Sequence, residues 1–332
     1  MEKPSIGIIG GGSWATALAK IFSQQTGLSI NWWVRNQEVA NHIESFGHNP
    51  NYLSSVQFEK NRIYVSSSIQ EVIKRSTYLV FAIPAAFLQK SLSGVSSRDL
   101  ENKFIICAIK GVIPEKNLIP CHFFQNEFKV GQDAIGVITG PCHAEEVALE
   151  KLSFLTIASS NQKLSLQVSD WLKCRYIRTV LSTDTDGAEY AGVLKNIYAV
   201  GSGIFHGLGY GDNFQAVFIT NAIREMERFL SKTSTITYDV KESAYLGDLL
   251  VTAYSQFSRN RTFGNMIGKG YSVKSAQIEM NMIAEGFYAC KSIYQINQQL
   301  GADIPIVDAV YRILYERMSP AIEMKLLSSK LS

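Results

Sequence analysis

The feature that most constrains the fold of this chain is a glycine-rich turn that follows directly on an N-terminal apolar run. The stretch "IGIIGGGSWATALAKIF" places Gly10, Gly12 and Ala15 in a GxGxxA spacing between a predicted strand and a predicted helix. Gly10 allows a tight turn, Gly12 leaves room for a phosphate, and Ala15 lets the helix pack close to the strand. Because a helix N-terminus also favours an anion, the stretch predicts a dinucleotide-binding βαβ unit. The simpler alternative is an ordinary glycine-rich turn.

The rest of the first half predicts the domain that this turn belongs to. Short apolar runs alternate there with helical or loop segments, which is typical of a mostly parallel sheet with helices on both faces. We therefore expect an α/β Rossmann-type doubly wound domain. The predicted strands are residues 5–10, 28–34, 62–65, 78–83, 103–109, 134–138, 153–158 and 175–180.

The second half has a different pattern. Strand signals stop near Asp186, and the predicted helices are residues 187–206, 213–232, 243–258, 275–280, 285–300 and 306–317. A chain of 332 residues is long for one core, so we expect two domains. These are a dinucleotide-binding Rossmann domain over residues 1–185 and an all-α substrate and catalytic domain over residues 186–332. A ligand held between two domains is the expected location of function.

Composition excludes several classes of protein. The net charge is +3 and the Lys and Arg residues are scattered, which argues against a nucleic-acid partner. Five cysteines form no CxxC pair and the histidines form no HxxxH or HxH pattern, so we expect reduced thiols and no metal site. The early strand leaves no room for a signal peptide, and no apolar run of about 18 residues predicts a membrane span. A cytoplasmic location is the expectation.

The residue after the second predicted strand bears on the choice of cofactor. That strand ends in "NWWVRNQ", which contains no carboxylate that could accept a hydrogen bond from a ribose 2′-hydroxyl. Arg35 is there instead, and an arginine accommodates a 2′-phosphate. The sequence therefore favours NADP over NAD. Arg35 could also stack on the adenine or remain solvated.

A lysine in an apolar helical segment is the first candidate for catalysis. In "VLKNIYAVGSGI", Lys195 shares a helical face with small residues, namely Ala188, Ala191, Gly192, Ala199 and Ser202. Partial burial lowers the pKa of a lysine, which lets it exchange a proton near neutral pH. Asn196 could join by hydrogen bonding. The simpler alternative is a lysine that extends to the surface.

A second polar stripe lies in "LGDLLVTAYSQFSRNR". Its members are spaced i, i+4, i+7 and i+11 on one predicted helical face, and they are Asp248, Thr252, Ser255 and Arg259. A carboxylate between leucines needs a cation, and Lys195 is a candidate partner for Asp248. The "SRNR" segment offers donors suited to phosphate oxygens. An internal salt bridge followed by a solvated basic helix end is the alternative.

Two turns of the first domain add candidates. "CAIKGV" places Lys110 just after a predicted strand, and the carboxyl ends of parallel strands are where ligands bind. "ITGPCHAEEVA" follows another strand, so the backbone near Gly140 could face a ligand. Cys142 and His143 are adjacent, and their side chains therefore tend to diverge, which disfavours a nucleophile and base pair.

Together these segments resemble the bacterial NAD(P)-dependent glycerol-3-phosphate dehydrogenases over nearly the whole chain. The segments that carry the resemblance are "GGGSWATALA", "AIKG", "TGPCHAEEVA", "VLKNIYAVGSGI", "GDN", "LGDLLVT", "SRNRTFG" and "AEG". The resemblance implies a Rossmann domain followed by an all-α domain. It also implies reversible reduction of dihydroxyacetone phosphate to sn-glycerol 3-phosphate, which feeds phospholipid synthesis.

The resemblance also implies roles for individual residues. It makes Lys195 the proton-transfer residue. The implied substrate contacts are Lys110, Gly140, Cys142, Lys195, Asp248, Ser258, Arg259 and Asn260. The implied cofactor contacts are Ser13, Trp14, Arg35, Lys110, Ala144, Arg259, Ile283 and Glu285, and Tyr52 resembles a position that some members use. The glycine spacing adds Gly10 and Gly12 to the expected cofactor contacts. The cofactor is NADPH or NADH. Cys142 departs from the Ser or Thr that the family commonly has, so a backbone contact is the safer expectation there.

Other readings of the same residues stay open. One is a two-domain reductase of a hydroxy acid, such as a ketopantoate-like substrate, which would have no need of a phosphate. Another is an NADP-binding regulator without chemistry, and a third is a partner-binding scaffold, which leaves the glycine loop and the polar stripes unexplained. The expected partner is a small-molecule substrate, with no nucleic acid and no membrane span. A homodimer through the helical domain is a further expectation.

Overall fold

The computed structural model of the chain describes residues 3–59, 61–233, 239–280 and 284–332. The chain forms two compact units. The first comprises Met1–Ile109 and Pro120–Thr185, and the second comprises Lys110–Ile119 and Asp186–Ser332. The first unit is α/β and the second is helical. The predicted fold class, a Rossmann-type domain followed by an all-α domain, is confirmed.

The first unit is built on an eight-stranded sheet in the order β3-β2-β1-β4-β5-β6-β7-β8. All neighbouring strands are parallel except β6 and β7, which are antiparallel. The first six strands have the doubly wound order of dinucleotide-binding sheets. All eight predicted strands are confirmed, and they are β1 (Ser5–Ile9), β2 (Ser29–Trp33), β3 (Ile63–Ser66), β4 (Tyr78–Phe81), β5 (Phe104–Cys107), β6 (Ile135–Thr139), β7 (Ser153–Ala158) and β8 (Ile177–Ser182).

Seven α-helices connect these strands, and they are α1 (Ser13–Ser23), α2 (Gln37–Phe46), α3 (Ile69–Arg75), α4 (Ala85–Ser91), α5 (Pro120–Phe128), α6 (Ala144–Ala148) and α7 (Gln162–Leu172). The core of the unit contains the apolar residues of the inner strands and the buried face of α1. Because parallel strands are covered on both faces, their sequences read as continuous apolar runs, and β4 is buried along its whole length.

The second unit is helical along its described length. Its α-helices are α8 (Thr185–Gly207), α9 (Asp212–Thr233), α10 (Asp248–Tyr254), α11 (Arg259–Gly268), α12 (Val273–Glu279), α13 (Glu285–Leu300), α14 (Pro305–Tyr315) and α15 (Pro320–Ser328). Five of the six predicted helices are confirmed with small shifts at their ends. No helix in the described ranges is long and apolar enough to span a bilayer. The five cysteines all lie in the described ranges, and none of them forms a disulfide.

The prediction of a single helix over residues 243–258 is wrong. A π-helical turn over Ser243–Gly247 leads into α10, which ends at Tyr254. Ser258 then has extended backbone and caps the next helix, because its Oγ accepts a hydrogen bond from Arg261 N at 3.3 Å. Serine is among the preferred residues at this capping position. The predicted polar stripe is therefore divided, with Asp248 and Thr252 on α10 and Arg259 at the start of α11.

Close backbone packing holds α8 in the second unit. A side chain at Gly203 would collide with the Arg261 carbonyl, and one at Gly264 would collide with the Val200 carbonyl. On another side of α8, a Cβ at Gly286 would lie 2.5 Å from the Asn196 carbonyl oxygen. Glycines thus let α11 and α13 approach the α8 backbone.

The small-residue face of α8 serves packing. Ala199 and Ser202 are fully buried, and Ser202 Oγ donates to the Ala253 carbonyl on α10 at 3.1 Å. This part of the face therefore packs against protein.

Candidate functional site

A buried ionic cluster occupies the second unit. Lys195, in the middle of α8, forms an ion pair with Asp248 at the start of α10, as the sequence analysis anticipated. The Lys195 ammonium also donates to Thr252 Oγ1 at 2.9 Å. Lys110 Nζ donates to the other Asp248 oxygen at 2.8 Å. One carboxylate therefore bridges two ammonium groups, and the three residues form one charge system.

Burial sets the protonation of this cluster. Lys195 is 5% exposed, and its burial lowers its pKa to about 7, with the nearby Lys110 charge acting in the same direction and Asp248 opposing. Burial by itself would raise the pKa of Asp248, but the two ammonium groups outweigh it and hold that pKa below its usual value. Asp248 therefore remains ionised, while Lys195 can gain or lose a proton near neutral pH.

Lys110 reaches the cluster because its chain segment belongs to the helical unit. Val112 and Ile119, from the segment Lys110–Ile119, pack in the core of that unit. Asn196, which follows Lys195 on α8, donates to the Lys110 carbonyl at 2.9 Å. The Lys110 side chain is 22% exposed, against 6% for that of Lys195. Of the two ammonium groups, Lys110 is the one that solvent reaches more easily.

The starts of α11 and α13 lie near the cluster. Asn260 is buried and its Oδ1 accepts a hydrogen bond from Gly286 N at 2.9 Å, which ties the two helix starts together. Arg259 is exposed at the first position of α11. Glu285 begins α13, and burial raises its pKa to about 7, although the charges of Arg259, Lys195 and Lys110 act against this rise. Ile283 lies outside the described residues.

The glycine loop of the first unit joins β1 to α1 as the GxGxxA spacing predicts. Gly10 has a left-handed φ of +143°, and a side chain there would collide with the Ala82 carbonyl. Gly12 caps α1, and a Cβ built on it has no neighbouring atom within 4 Å. Ser13 and Trp14 form the first turn of α1. The open space at Gly12, beside a helix N-terminus, fits the approach of a phosphate group.

Arg35 and Tyr52, two further cofactor candidates, come from the segments that follow β2 and α2. Arg35 is exposed just beyond the carboxyl end of β2, as the NADP prediction requires. Tyr52 lies in the loop after α2, where its backbone N–H donates to Asn49 Oδ1 at 3.3 Å. Asn49 also contacts the glycine loop, a link that the sequence analysis missed.

The turn after β6 holds the remaining candidates of the first unit. Gly140 has a φ of +116°, and a Cβ there would lie 2.8 Å from the Phe154 carbonyl oxygen. Cys142 Sγ donates to the same carbonyl at 3.1 Å. Ala144 is the first residue of α6, which packs against α1. Because the Cys142 thiol is hydrogen-bonded to a backbone carbonyl, the backbone of this turn is a better candidate than the thiol for contacting a ligand.

Sequence profiles of one protein family match both units. The profile for the N-terminus of NAD-dependent glycerol-3-phosphate dehydrogenase matches residues 5–165, and the profile for its C-terminus matches residues 184–325. The chain belongs to this family. Membership confirms the prediction that the chain is an NAD(P)-dependent dehydrogenase, which is an oxidoreductase that uses NADH or NADPH.

Individual relatives of known name align with this chain over nearly their whole length. The glycerol-3-phosphate dehydrogenase [NAD(P)+] of Staphylococcus carnosus is 32% identical, and the alignment covers 98% of each chain. The protein of the same name from an Exiguobacterium strain is 33% identical over 97% of this chain and 94% of its own.

Solved structures show the same fold. The crystal structure of glycerol-3-phosphate dehydrogenase from Coxiella burnetii has a TM-score of 0.91 at 26% identity, covering 98% of this chain and 99% of the other. A ketopantoate reductase from Ralstonia eutropha has a TM-score of 0.58 at 12% identity, covering 96% of this chain and 99% of its own. The second likeness is one of fold alone, so it gives no support to the hydroxy-acid alternative.

Proposed function

We propose that the chain reversibly reduces dihydroxyacetone phosphate to sn-glycerol 3-phosphate with NAD(P)H, and that Lys195 transfers the proton. The observation that supports this role is the buried Lys195–Asp248–Lys110 cluster, in which the pKa of Lys195 is about 7. A general acid–base is most effective when its pKa lies near the working pH. The product, sn-glycerol 3-phosphate, would supply phospholipid synthesis.

In this proposal most of the cofactor contacts come from the first unit. Gly12, Ser13 and Trp14 would contact the pyrophosphate, and Arg35 would bind a 2′-phosphate, which favours NADPH. The other proposed cofactor contacts are Gly10, Tyr52, Lys110, Ala144, Arg259, Ile283 and Glu285. The bound reduced nicotinamide supplies the hydride that the ketone carbon accepts.

The second unit would supply most of the substrate site. When hydride reaches the ketone carbon, negative charge develops on the carbonyl oxygen, and Lys195 would donate a proton to it. Asp248 would hold the Lys195 ammonium in place, and Lys110 would stabilise the charge. Ser258, Arg259 and Asn260, with the backbone at Gly140 and Cys142, are the remaining proposed substrate contacts. Accordingly we propose residues 186–332 as the substrate domain, together with Lys110–Ile119, and residues 1–185 otherwise as the cofactor domain.

The test is the loss of reduced-nicotinamide absorbance on addition of dihydroxyacetone phosphate, with NADPH and NADH assayed in parallel. We expect oxidation with both cofactors and a higher kcat/KM with NADPH, because Arg35 has no competing carboxylate beside it in the sequence. Dihydroxyacetone without its phosphate, and ketopantoate, are the matched controls and should be poor substrates. Oxidation that proceeds equally well without the phosphate would contradict the proposed substrate.

The pH dependence of the two directions should be opposite. Reduction requires the protonated Lys195, so its kcat/KM should be flat below the pKa of about 7 and fall about tenfold per pH unit above it. Oxidation of sn-glycerol 3-phosphate requires the neutral amine and should rise to a plateau above the same pH. Initial rates in both directions between pH 5.5 and 9, at about ten pH values, would measure this. Parallel profiles in the two directions would exclude Lys195 as the proton donor.

Two glycines of the loop should respond differently to alanine. Gly12→Ala places its methyl group in open space, so the free energy of unfolding should change little, while the Kd for NADPH should rise about tenfold or more because the methyl excludes the phosphate. Gly10→Ala forces a methyl group into the Ala82 carbonyl at a φ of +143°, so it should destabilise the first unit itself. Thermal denaturation and NADPH titration of both variants separate these effects. Tight NADPH binding by a well-folded Gly12→Ala protein would remove the glycine loop from the cofactor site.

A homodimer and a cytoplasmic location remain predictions from the sequence. Size-exclusion chromatography with light scattering would determine the oligomeric state of the purified chain.

A further inference from the structure

All three carbonyl groups of the glycine loop accept hydrogen bonds from the protein, and two of the donors are side chains from outside the loop. Trp32 Nε1, from β2, donates to the Gly10 carbonyl at 2.6 Å. Asn49 Nδ2, from the loop after α2, donates to the Gly11 carbonyl at 3.1 Å. The Gly12 carbonyl accepts the first hydrogen bond of α1, from Thr16 N at 3.0 Å. Three successive carbonyl groups are thus directed into the protein.

The orientation of these carbonyls determines where the N–H groups point. In a trans peptide the C=O of one residue and the N–H of the next are on opposite sides of the bond. The carbonyls of Gly10, Gly11 and Gly12 are bonded to the protein, so the N–H groups of the residues that follow them point the other way. No hydrogen bond from the N–H groups of Gly12 and Ser13 is found within the described part of the chain. These donors are free to meet an anion.

Asn49 has the most extensive bonding of the residues that hold the loop. It is fully buried, and its Nδ2 donates both to the Gly11 carbonyl and to Thr16 Oγ1, the latter at 2.9 Å. Its Oδ1 accepts from Asn51 N at 3.0 Å and from Tyr52 N at 3.3 Å. Two donors face the oxygen and two acceptors face the nitrogen, so the amide orientation is determined and all its hydrogen-bonding capacity is used.

We propose that Asn49 is a positioning residue for dinucleotide binding. It holds the Gly11 carbonyl away from the cofactor, so that the N–H groups of the loop are already directed at the pyrophosphate. Through its Oδ1 it also fixes the loop that carries Tyr52. This inference rests on the proposed function, in which the glycine loop binds the pyrophosphate. A carbonyl free to rotate toward the pyrophosphate would repel it, and ordering the loop on binding would reduce affinity.

The decisive variant is Asn49→Asp, which keeps the shape of the side chain. The carboxylate can still accept from Asn51 N and Tyr52 N, but it cannot donate to the Gly11 carbonyl and it adds negative charge behind the loop. We expect the Kd and KM for NADPH to rise about tenfold or more, as for a lost hydrogen bond with added repulsion. The kcat at saturating NADPH and the KM for dihydroxyacetone phosphate should stay within about twofold of wild type. Tryptophan fluorescence quenching measures the Kd.

A second pair of variants keeps the test valid if Asn49→Asp does not fold. Thr16→Val is nearly isosteric but removes the oxygen that accepts from Asn49 and that donates to the Gly12 carbonyl at 3.0 Å, so the Kd for NADPH should rise about threefold or more. Thr16→Ser keeps the hydroxyl and should restore affinity close to wild type. A purely structural role would instead lower kcat and thermal stability in step with affinity, for both variants alike.

The outcomes separate this inference from the proposed function. An unchanged Kd in Asn49→Asp, or in Thr16→Val, would overturn the role of Asn49 if Gly12→Ala still weakens NADPH binding. If Gly12→Ala also binds NADPH normally, then the glycine loop is not the pyrophosphate site, and both the inference and that part of the proposed function fail. A loss of kcat equal to the loss of affinity in Asn49→Asp would likewise count against positioning.

Discussion

Lys195→Met should lower kcat for dihydroxyacetone phosphate reduction by about a thousandfold or more, while NADPH still binds with nearly normal affinity. Methionine has similar length and no ionisable group, so it fills the volume of Lys195 but cannot donate a proton to the developing alkoxide. Loss of a general acid costs about 10² to 10⁴ in rate, and loss of the positive charge adds to it. The measurement is single-turnover oxidation of NADPH with the substrate in excess.

One further variant separates proton transfer from charge, and a second serves as the control. Lys195→Arg keeps the positive charge, but an arginine does not release its proton at any working pH. The kcat of this variant should therefore also fall steeply. Lys291→Met replaces an exposed lysine on α13 and should behave as wild type. If Lys195→Met retains kcat within about tenfold of wild type, another group or water supplies the proton.

The fold was predictable because its strongest signals are local. Each buried parallel strand appears in the sequence as a short apolar run, and the glycine spacing after β1 defines the first turn of the sheet. The break between α10 and α11 was not predicted, since apolar periodicity continues through it and only the capping role of Ser258 marks the new helix. The antiparallel pairing of β6 and β7 depends on contacts between strands, which local patterns do not encode.

Part of the candidate site was predictable, because a charged side chain in an apolar segment needs a partner of opposite charge. A carboxylate among leucines requires a cation, and Asp248 is indeed paired with Lys195. The second cation, Lys110, was placed in the first domain, because its segment follows a strand and nothing local shows that residues 110–119 pack with the helices. Asn49 was missed for a similar reason: its bonds reach residues more than 30 positions away.

Asp248→Asn should lower kcat by about a hundredfold and move the pH profile of reduction to lower pH. The ionised Asp248 opposes the burial that lowers the pKa of Lys195, so removing its charge should bring that pKa below about 7. At neutral pH most of the enzyme would then hold Lys195 as the neutral amine, which cannot act as the acid. The profile of kcat/KM for reduction between pH 5 and 9 measures the shift directly.

The direction of the pH shift distinguishes two roles of Asp248. It either keeps Lys195 protonated or only supports the fold. Asp248→Asn removes the buried partner of both lysines, and breaking a buried ion pair costs about 3–5 kcal/mol, so the variant should also unfold at a lower temperature. Asp303→Asn removes an exposed carboxylate of the same unit and should alter neither property. A protein that is destabilised but keeps the wild-type profile would mean that Asp248 only supports the fold. A profile that moves to lower pH, with activity partly recovered in acid, would mean that Asp248 keeps Lys195 protonated for catalysis.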